Sequence, residues 1–337
     1  MKHKIIYLIL FLIAQSSYAQ SGDISTMKAP GKGWERKSTF TTATAIIEKF
    51  FAKDVEEIKA ATPVIDKKLK KQKIKALVFY KVFGYHHGSI PFANYALNQM
   101  ALSSKGVLTL DFTNKVEDLS KENLAKYDVV IHNNTTHIEK GLPDYAKVLN
   151  EYIANGGGAV FIHAGSDCFA TSLEKGEKTP TGGVFEGHPW RAGGEWAFQL
   201  ECPEHRLNHA FHGEGFLYQD EIYMYKKESF SRERSRVLVS LDMDHSSNTI
   251  ESVTKTLEKE GRQELLKDAN PVSWVIADER GRVFNTNFGH RKQTFADKKI
   301  MQHLLDGICF AAGKIKAETT PSAELKKFKI VKPKEKE

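Results

Sequence analysis

Cysteine is scarce in this chain. Only Cys168, Cys202 and Cys309 occur among 337 residues, and no pair of them has C-x-x-C spacing. An odd number of cysteines allows at most one disulfide, so a scaffold held by several disulfides is excluded. A chain of this length buries a core large enough to fold without such cross-links.

Long hydrophobic runs are also missing. The apolar run Ile5–Ala14 has ten residues, which is too short to span a bilayer. It follows Lys2 and Lys4, and Ser17-Tyr18-Ala19 then places small residues at the −3 and −1 positions of a cleavage site. This pattern predicts a signal peptide over residues 1–19, cleaved after Ala19, and a periplasmic or secreted protein. A retained membrane anchor is the alternative.

The chain has no concentrated basic face of the kind that nucleic-acid binding requires. Residues 53–75 and 314–337 each contain eight lysines against four acidic residues, which accounts for more than the whole net charge of +7. The positive charge therefore lies in the flanks, where solvated helix faces and a loose tail account for it. We expect a small-molecule partner and no nucleic acid, and no membrane association after signal cleavage. The oligomeric state stays open.

Composition and periodicity divide the mature chain into three parts. Residues 20–72 form an N-terminal extension, with apolar residues at helical spacing over 41–60. Residues 73–313 form one α/β domain, interrupted by a charged insert at 245–269. Residues 314–337 form a lysine-rich tail that we expect to be frayed.

Short apolar strands alternate with helices through the first half of the domain. This alternation predicts an α/β fold with a doubly wound, mostly parallel sheet and helices on both faces. The second half is less regular. The predicted strands are 74–80, 107–112, 127–132, 158–162, 196–200, 221–225, 237–241, 272–277 and 282–287, and the main helices are 92–102, 119–126, 143–155 and 298–312.

The stretch from Gly156 to Gly165 is the most informative in the chain. Three glycines precede four apolar residues of a buried strand, and His163 stands where that strand ends. Ligands of open α/β sheets bind beyond the carboxyl ends of the strands. A nucleophile elbow places Ser or Cys at such a point, so His163 indicates an active site without the usual covalent nucleophile.

Other polar groups follow the ends of other predicted strands. His86 and His87 follow the first strand, and as adjacent residues only one of them is expected to face a shared site. His290 follows the last strong strand. Strand alternation places Glu221 and Tyr223 on one face and Asp220 on the other, and His188 and Trp190 belong to a predicted loop over 185–190. Imidazole and carboxylate together suit a zinc-like metal or acid/base catalysis near neutral pH.

An ordered set of motifs runs over about residues 73–313. The motifs are Phe83…His86-His87-Gly88-Ser89-Ile90, Tyr127-Asp128-Val129-Val130, Asn134-Thr135-Thr136, Gly156-Gly157-Gly158…Ile162-His163-Ala164, Gly187-His188-Pro189-Trp190, Asp220-Glu221-Ile222-Tyr223, Asn270-Pro271-Val272-Ser273-Trp274, Gly281-Arg282-Val283-Phe284 and Gly289-His290. Together they resemble the ThuA-like (trehalose-utilisation) family, and that resemblance implies a fold similar to the class I glutamine amidotransferases. The amidotransferases have a cysteine nucleophile at the elbow where this chain has His163, so we expect no glutaminase activity.

The resemblance implies work on sugars, including 3-keto-glycosides. One hypothesis is a secreted carbohydrate-active enzyme that acts on a (3-keto-)glycoside or disaccharide by acid/base or metal-assisted elimination or hydrolysis. The other is a non-catalytic sugar-binding or scaffold protein of a periplasmic utilisation system. The candidate residues are His163, Glu221, Asp220 and His290 for catalysis, His86, His87, Asn134, Thr135, His188, Trp190 and Tyr223 for substrate binding, and His86, His163 and His290 for a divalent, zinc-like metal.

Overall fold

The computed structural model describes residues 27–334, apart from 279 and 327–328. The predicted signal peptide lies outside these residues. Within the described part of the chain, no helix combines the length and hydrophobicity that a membrane crossing requires.

A mixed sheet of ten strands forms the centre of the fold, with the order β12-β6-β9-β10-β11-β4-β3-β1-β2 and with β7 paired to β6. Strands β2, β1, β3, β4 and β11 are parallel neighbours, and the strands beyond β11 are antiparallel. A separate antiparallel pair joins β5 and β8. The strands are β1 Ile74–Phe79, β2 Leu108–Thr113, β3 Val129–Asn133, β4 Gly158–Ile162, β5 Phe185–Trp190, β6 Glu195–Glu201, β7 Phe216–Gln219, β8 Ile222–Tyr225, β9 Arg236–Leu241, β10 Pro271–Asp278, β11 Gly281–Thr286 and β12 Ile330–Val331.

Helices cover both faces of the parallel half, which confirms the predicted doubly wound α/β class. Alternate strand residues supply the two faces: Val160 belongs to one core, and Phe161 to the other. Helices α4 and α9 pack in the first core, and α6 packs in the second. The helices are α1 Trp34–Lys37, α2 Phe40–Phe50, α3 Ala52–Ala61, α4 Ile90–Ser103, α5 Lys121–Leu124, α6 Tyr145–Ala154, α7 Ala170–Glu174, α8 Glu251–Lys259 and α9 Lys298–Ala311.

The N-terminal extension packs against the domain next to the sheet edge that carries the site. Trp34 and Phe51 contact the ring of Phe92 in α4. Asp54 in α3 pairs with Lys292 at 2.7 Å, just after His290. The extension therefore supports the loop that carries His290.

Two local predictions need correction, and one strand was missed. The segment 185–190, predicted as a loop because of its Gly and Pro, is strand β5, since it pairs with β8. The tail is not frayed throughout: β12 adds to the sheet edge at β6, and the Ser322 hydroxyl accepts a hydrogen bond from Val237 N. Strand β7 was not predicted at all. The 245–269 insert forms the amphipathic helix α8, which buries Val253 and Leu257.

Candidate functional site

Parallel strands bring three histidines to one edge of the sheet. His87 follows β1, His163 follows β4, and His290 follows β11. Glu221 joins them from the connection between β7 and β8. One ligand atom from each of these four residues lies within 4.8 Å of those from the other three. We refer to His87, His163, Glu221 and His290 as the four-residue cluster.

His163 occupies an elbow with left-handed backbone. Its φ is +48°, in a region that L-residues other than Asn, Asp and His seldom adopt. Its Nδ1 lies 2.7 Å from the carbonyl oxygen of Asn287. Because that oxygen only accepts, Nδ1 carries the proton and the lone pair is on Nε2. The fully buried Nε2 has no hydrogen-bond partner among the described residues and lies 3.8 Å from Glu221 Oε1.

The other two imidazoles enclose the same space. Ring centroids lie 4.8 Å apart for His87 and His163, 5.0 Å for His87 and His290, and 5.3 Å for His163 and His290, with interplanar angles of 81–89°. His290 Nδ1 lies 3.1 Å from Glu221 Oε1, but the contact lacks hydrogen-bond geometry. His87 Nδ1 likewise has no partner in the described structure. The buried His87 and His163 and the partly exposed His290 therefore each have a nitrogen without a hydrogen-bond partner, close to one carboxylate.

Burial decides the charge of two of these imidazoles. It lowers the pKa of His87 to about 3, with a further contribution from the neighbouring histidines, and it lowers the pKa of His163 well below its usual value. Both rings are therefore neutral at pH 7. Burial also acts to lower the pKa of His290, but the Glu221 carboxylate outweighs it and the pKa is raised.

Asp220 is fully buried and holds the loop that carries His290. Its carboxylate accepts hydrogen bonds from the backbone N–H groups of Gly289 and Arg291 and from the hydroxyl of Thr294, as well as from Glu221 N. Four donors occupy this side chain, so it is a positioning group rather than the base for which it was a candidate.

The open side of the cluster carries aromatic and polar groups. The Tyr223 ring lies 4.4 Å from that of His163 and 4.4 Å from that of Phe185. The Tyr223 hydroxyl lies 3.5 Å from His87 Nε2. His188, whose side chain is 33% exposed, places Nδ1 3.9 Å from Glu221 Oε2. Among these side chains His188 reaches the surface, whereas Tyr223 is buried with only 3% of its surface exposed.

Asp167 is a group that the sequence did not single out, since it reads as a helix cap. Its side chain caps no helix: α7 begins after Phe169 without a side-chain cap. Burial, with a smaller contribution from Glu139, raises the pKa of Asp167 to about 7. The carboxylate lies 3.9 Å from His137 Nε2 and is near enough to Tyr223 to raise the pKa of that phenol. No spacing motif marks this residue, because its burial depends on the fold.

Several predicted site residues are not members of the four-residue cluster. His86 is half-buried beside Glu35 and Arg36 of the extension, so His87 takes its place as the candidate ligand. Trp190 is completely buried in the hydrophobic core and donates to Asn248 O, so it cannot form an accessible pocket wall. The fully buried Asn134 and Thr135 contact Asn133 and Cys168 respectively.

The Cys168 thiol and a large cavity lie outside the four-residue cluster. Burial raises the pKa of Cys168, so its thiol stays protonated and unreactive at neutral pH. A cavity of about 800 Å³ is lined by Arg232 and Arg262 among others. The two guanidinium groups pair with Glu201 and Glu264, and lysine side chains also line this cavity.

Comparison with known proteins agrees with this architecture. The family model described as trehalose utilisation, ThuA, matches residues 75–311. The chain belongs to the ThuA family. A ThuA-like protein of Bacteroides uniformis shares 22% identity and a TM-score of 0.54, over 73% of this chain and 94% of that one. A ThuA-like protein of Parabacteroides merdae shares 17% identity and a TM-score of 0.48, over 73% and 93%. No curated protein matches.

The family assignment confirms the resemblance drawn from the motifs and the glutamine amidotransferase-like fold. The solved ThuA-like structure from Bacteroides uniformis supports the fold alone at this level of identity. The chemistry of this ThuA family member must therefore be argued from its own residues.

Proposed function

We propose that this ThuA protein is an exported carbohydrate-active enzyme that acts on a (3-keto-)glycoside or disaccharide by acid/base or metal-assisted elimination or hydrolysis. The observation that carries the proposal is the four-residue cluster, where unpartnered imidazole nitrogens and a carboxylate meet beside aromatic rings and the partly exposed His188. A protein that only bound sugars would have no need to bury such reactive groups without partners.

The proposed reaction needs a base, an acid and a group that stabilises an enolate. A C3 keto group acidifies the C2 proton. The base removes that proton, the C1–O bond breaks, and its electron pair leaves with the departing oxygen, which takes a proton from the acid. Water then adds across the resulting C1=C2 bond, so the net change is hydrolysis.

The residues divide these tasks by position and charge. The cluster faces the keto oxygen and the enolate, where charge develops. Glu221 is the base in the acid/base form of the reaction and a ligand in the metal-assisted form. Asp167 supplies the second proton transfer, since general acid–base catalysis is most efficient when the group titrates near the working pH. Tyr223 and His188 bind the sugar hydroxyls.

The test compares a 3-keto-glycoside with the same glycoside lacking the keto group, and with trehalose. We expect release of the C1 substituent from the keto substrate, deuterium incorporation at C2 in D2O, and no ammonia from glutamine. If calorimetry shows tight sugar binding but no metal supplement yields product or deuterium incorporation, the protein is a sugar-binding protein and not an enzyme. N-terminal sequencing of periplasmic protein tests export, with Gln20 expected as the first residue.

The role of Asp167 predicts a specific pH dependence. We expect the pH profile of wild-type kcat/KM to have a limb with an apparent pKa near 7. The Asp167→Asn variant should lose that limb of the profile, together with about 100-fold in rate. The folded pKa is raised above 3.8, so the carboxylate costs stability as pH rises from about 4 through 7. The variant should therefore gain up to about 4 kcal/mol in unfolding free energy at pH 8.

Lys140→Gln is the matched control for that limb. The exposed Lys140 lowers the pKa of Asp167, against Glu139 which raises it. Removing the lysine charge should move the limb to higher pH without abolishing it. A pH profile of Asp167→Asn that keeps the wild-type limb would remove Asp167 from the mechanism.

A further inference from the structure

The unused nitrogen atoms of the four-residue cluster point to an ion. We infer that His87, His163, Glu221 and His290 bind one first-row divalent cation of the zinc or manganese class. The inference deepens the proposed function and rests on it only for the role of the ion in sugar chemistry. Binding of the ion follows from the four side chains themselves.

Unsatisfied buried nitrogens are the first argument. His163 is 0% exposed and His87 is 3% exposed, yet His163 Nε2 and His87 Nδ1 lack hydrogen-bond partners among the described residues, as does Nδ1 of the partly exposed His290. A native fold seldom leaves buried polar atoms unpaired, and an ion is one of the accepted explanations. Three such atoms in one cluster, with near-perpendicular rings, match imidazoles arranged around a common centre.

The spacing of the donors fits a small cation. Ligands held 2.0–2.2 Å from one ion lie about 3.0–3.5 Å apart when they are adjacent in its coordination sphere. Glu221 Oε1 lies 3.1 Å from His290 Nδ1 and 3.8 Å from His163 Nε2. All ligand atoms of the cluster lie within 4.8 Å of one another, so small side-chain rotations would bring the more distant ones to coordination distance.

Hydrogen bonds already orient the proposed ligands. A metal-bound histidine donates its second N–H to an acceptor that orients the ring. His163 makes this bond to Asn287 O at 2.7 Å. Ser89, two residues after His87, donates to Gly289 O and ties two ligand loops together.

The donor set also limits which ion binds. Three imidazoles and one carboxylate suit zinc, iron, manganese and cobalt, whereas Mg²⁺ and Ca²⁺ prefer oxygen ligands. His188, whose side chain is 33% exposed, lies 3.9 Å from Glu221 Oε2, so an open coordination position on that side of the cluster would face the sugar. Glu221 then serves as a ligand, and proton transfer falls to Asp167.

The test measures metal binding without sugar. The chelator-treated full chain is titrated with Co²⁺, Zn²⁺ and Mn²⁺, with Mg²⁺ and Ca²⁺ as comparison ions, and Co²⁺ is followed by its visible ligand-field spectrum. We expect one equivalent of Co²⁺ or Zn²⁺ per chain. His87→Ala and the near-isosteric Glu221→Gln should weaken binding by at least about 100-fold, whereas the adjacent His86→Ala should keep it.

Circular dichroism of each variant separates lost ligands from lost folding. Failure of the wild-type chain to bind any first-row ion, or unchanged Co²⁺ binding in both His87→Ala and Glu221→Gln, would overturn the metal centre. If the metal-free protein turns over a 3-keto-glycoside, the ion has no role in the reaction and the proposed function stands. If the protein binds the metal but turns over no 3-keto-glycoside, the metal centre stands and the proposed enzyme activity is withdrawn.

Discussion

Replacing His163 by Asn should reduce kcat/KM on a 3-keto-glycoside by at least 100-fold while the protein stays folded. Asn is one of the few residues that accept the left-handed backbone found at His163 (φ +48°). Its amide nitrogen can also take over the Nδ1 hydrogen bond to Asn287 O. What the substitution deletes is Nε2, the unpartnered atom that faces Glu221. Steady-state kinetics and Co²⁺ binding on the same preparation measure the loss.

His212→Asn is the matched control for this prediction. His212 also has a left-handed backbone, with φ +56°, but its side chain is exposed and lies outside the four-residue cluster. The same substitution in the same backbone region should leave kcat/KM and metal binding within twofold of wild type. A loss smaller than tenfold in His163→Asn, confirmed in His163→Ala, would withdraw His163 from the centre of the site.

Replacing Asp220 by Asn should disable the site through the loop that carries His290. The wild-type carboxylate accepts from Gly289 N, Arg291 N and the Thr294 hydroxyl. An amide at this position places an NH2 group against these donors and leaves at least one buried group unsatisfied. We expect a loss of about 2–4 kcal/mol in unfolding free energy and weaker metal binding, both measurable on the purified variant.

Two comparisons distinguish positioning from general destabilisation. Asp306→Asn removes another buried carboxylate, which accepts from Arg206 and Gln302 away from the cluster. It should lower stability and leave kcat unchanged. Excess Zn²⁺ or Co²⁺ should restore part of the Asp220→Asn activity, because the ligands are displaced rather than absent. If the Asp220→Asn and Asp306→Asn variants have equal kcat, Asp220 has a structural role only and does not position the site.

The elements that were predicted well are those with strong local signals. Strands β1, β3 and β4 consist mainly of apolar residues, and helices α4 and α9 have long apolar faces, so periodicity located them. Strand β5 contains Gly187 and Pro189, and β7 is only four residues long. Both form because a neighbouring strand pairs with them, which local composition does not report.

By itself, the sequence determined the α/β class, the elbow at His163 and the rule that polar residues after parallel strands meet at one edge, because these follow from backbone geometry and hydrophobic periodicity. Only the tertiary structure decided which of two adjacent histidines enters the site, that Trp190 is core, that Asp220 secures a loop and that Asp167 is buried. Those outcomes depend on contacts between residues far apart in the chain: Asp220 contacts Gly289, and His163 contacts Asn287. Burial and partner choice are properties of the packed fold, so a pattern along one chain cannot specify them.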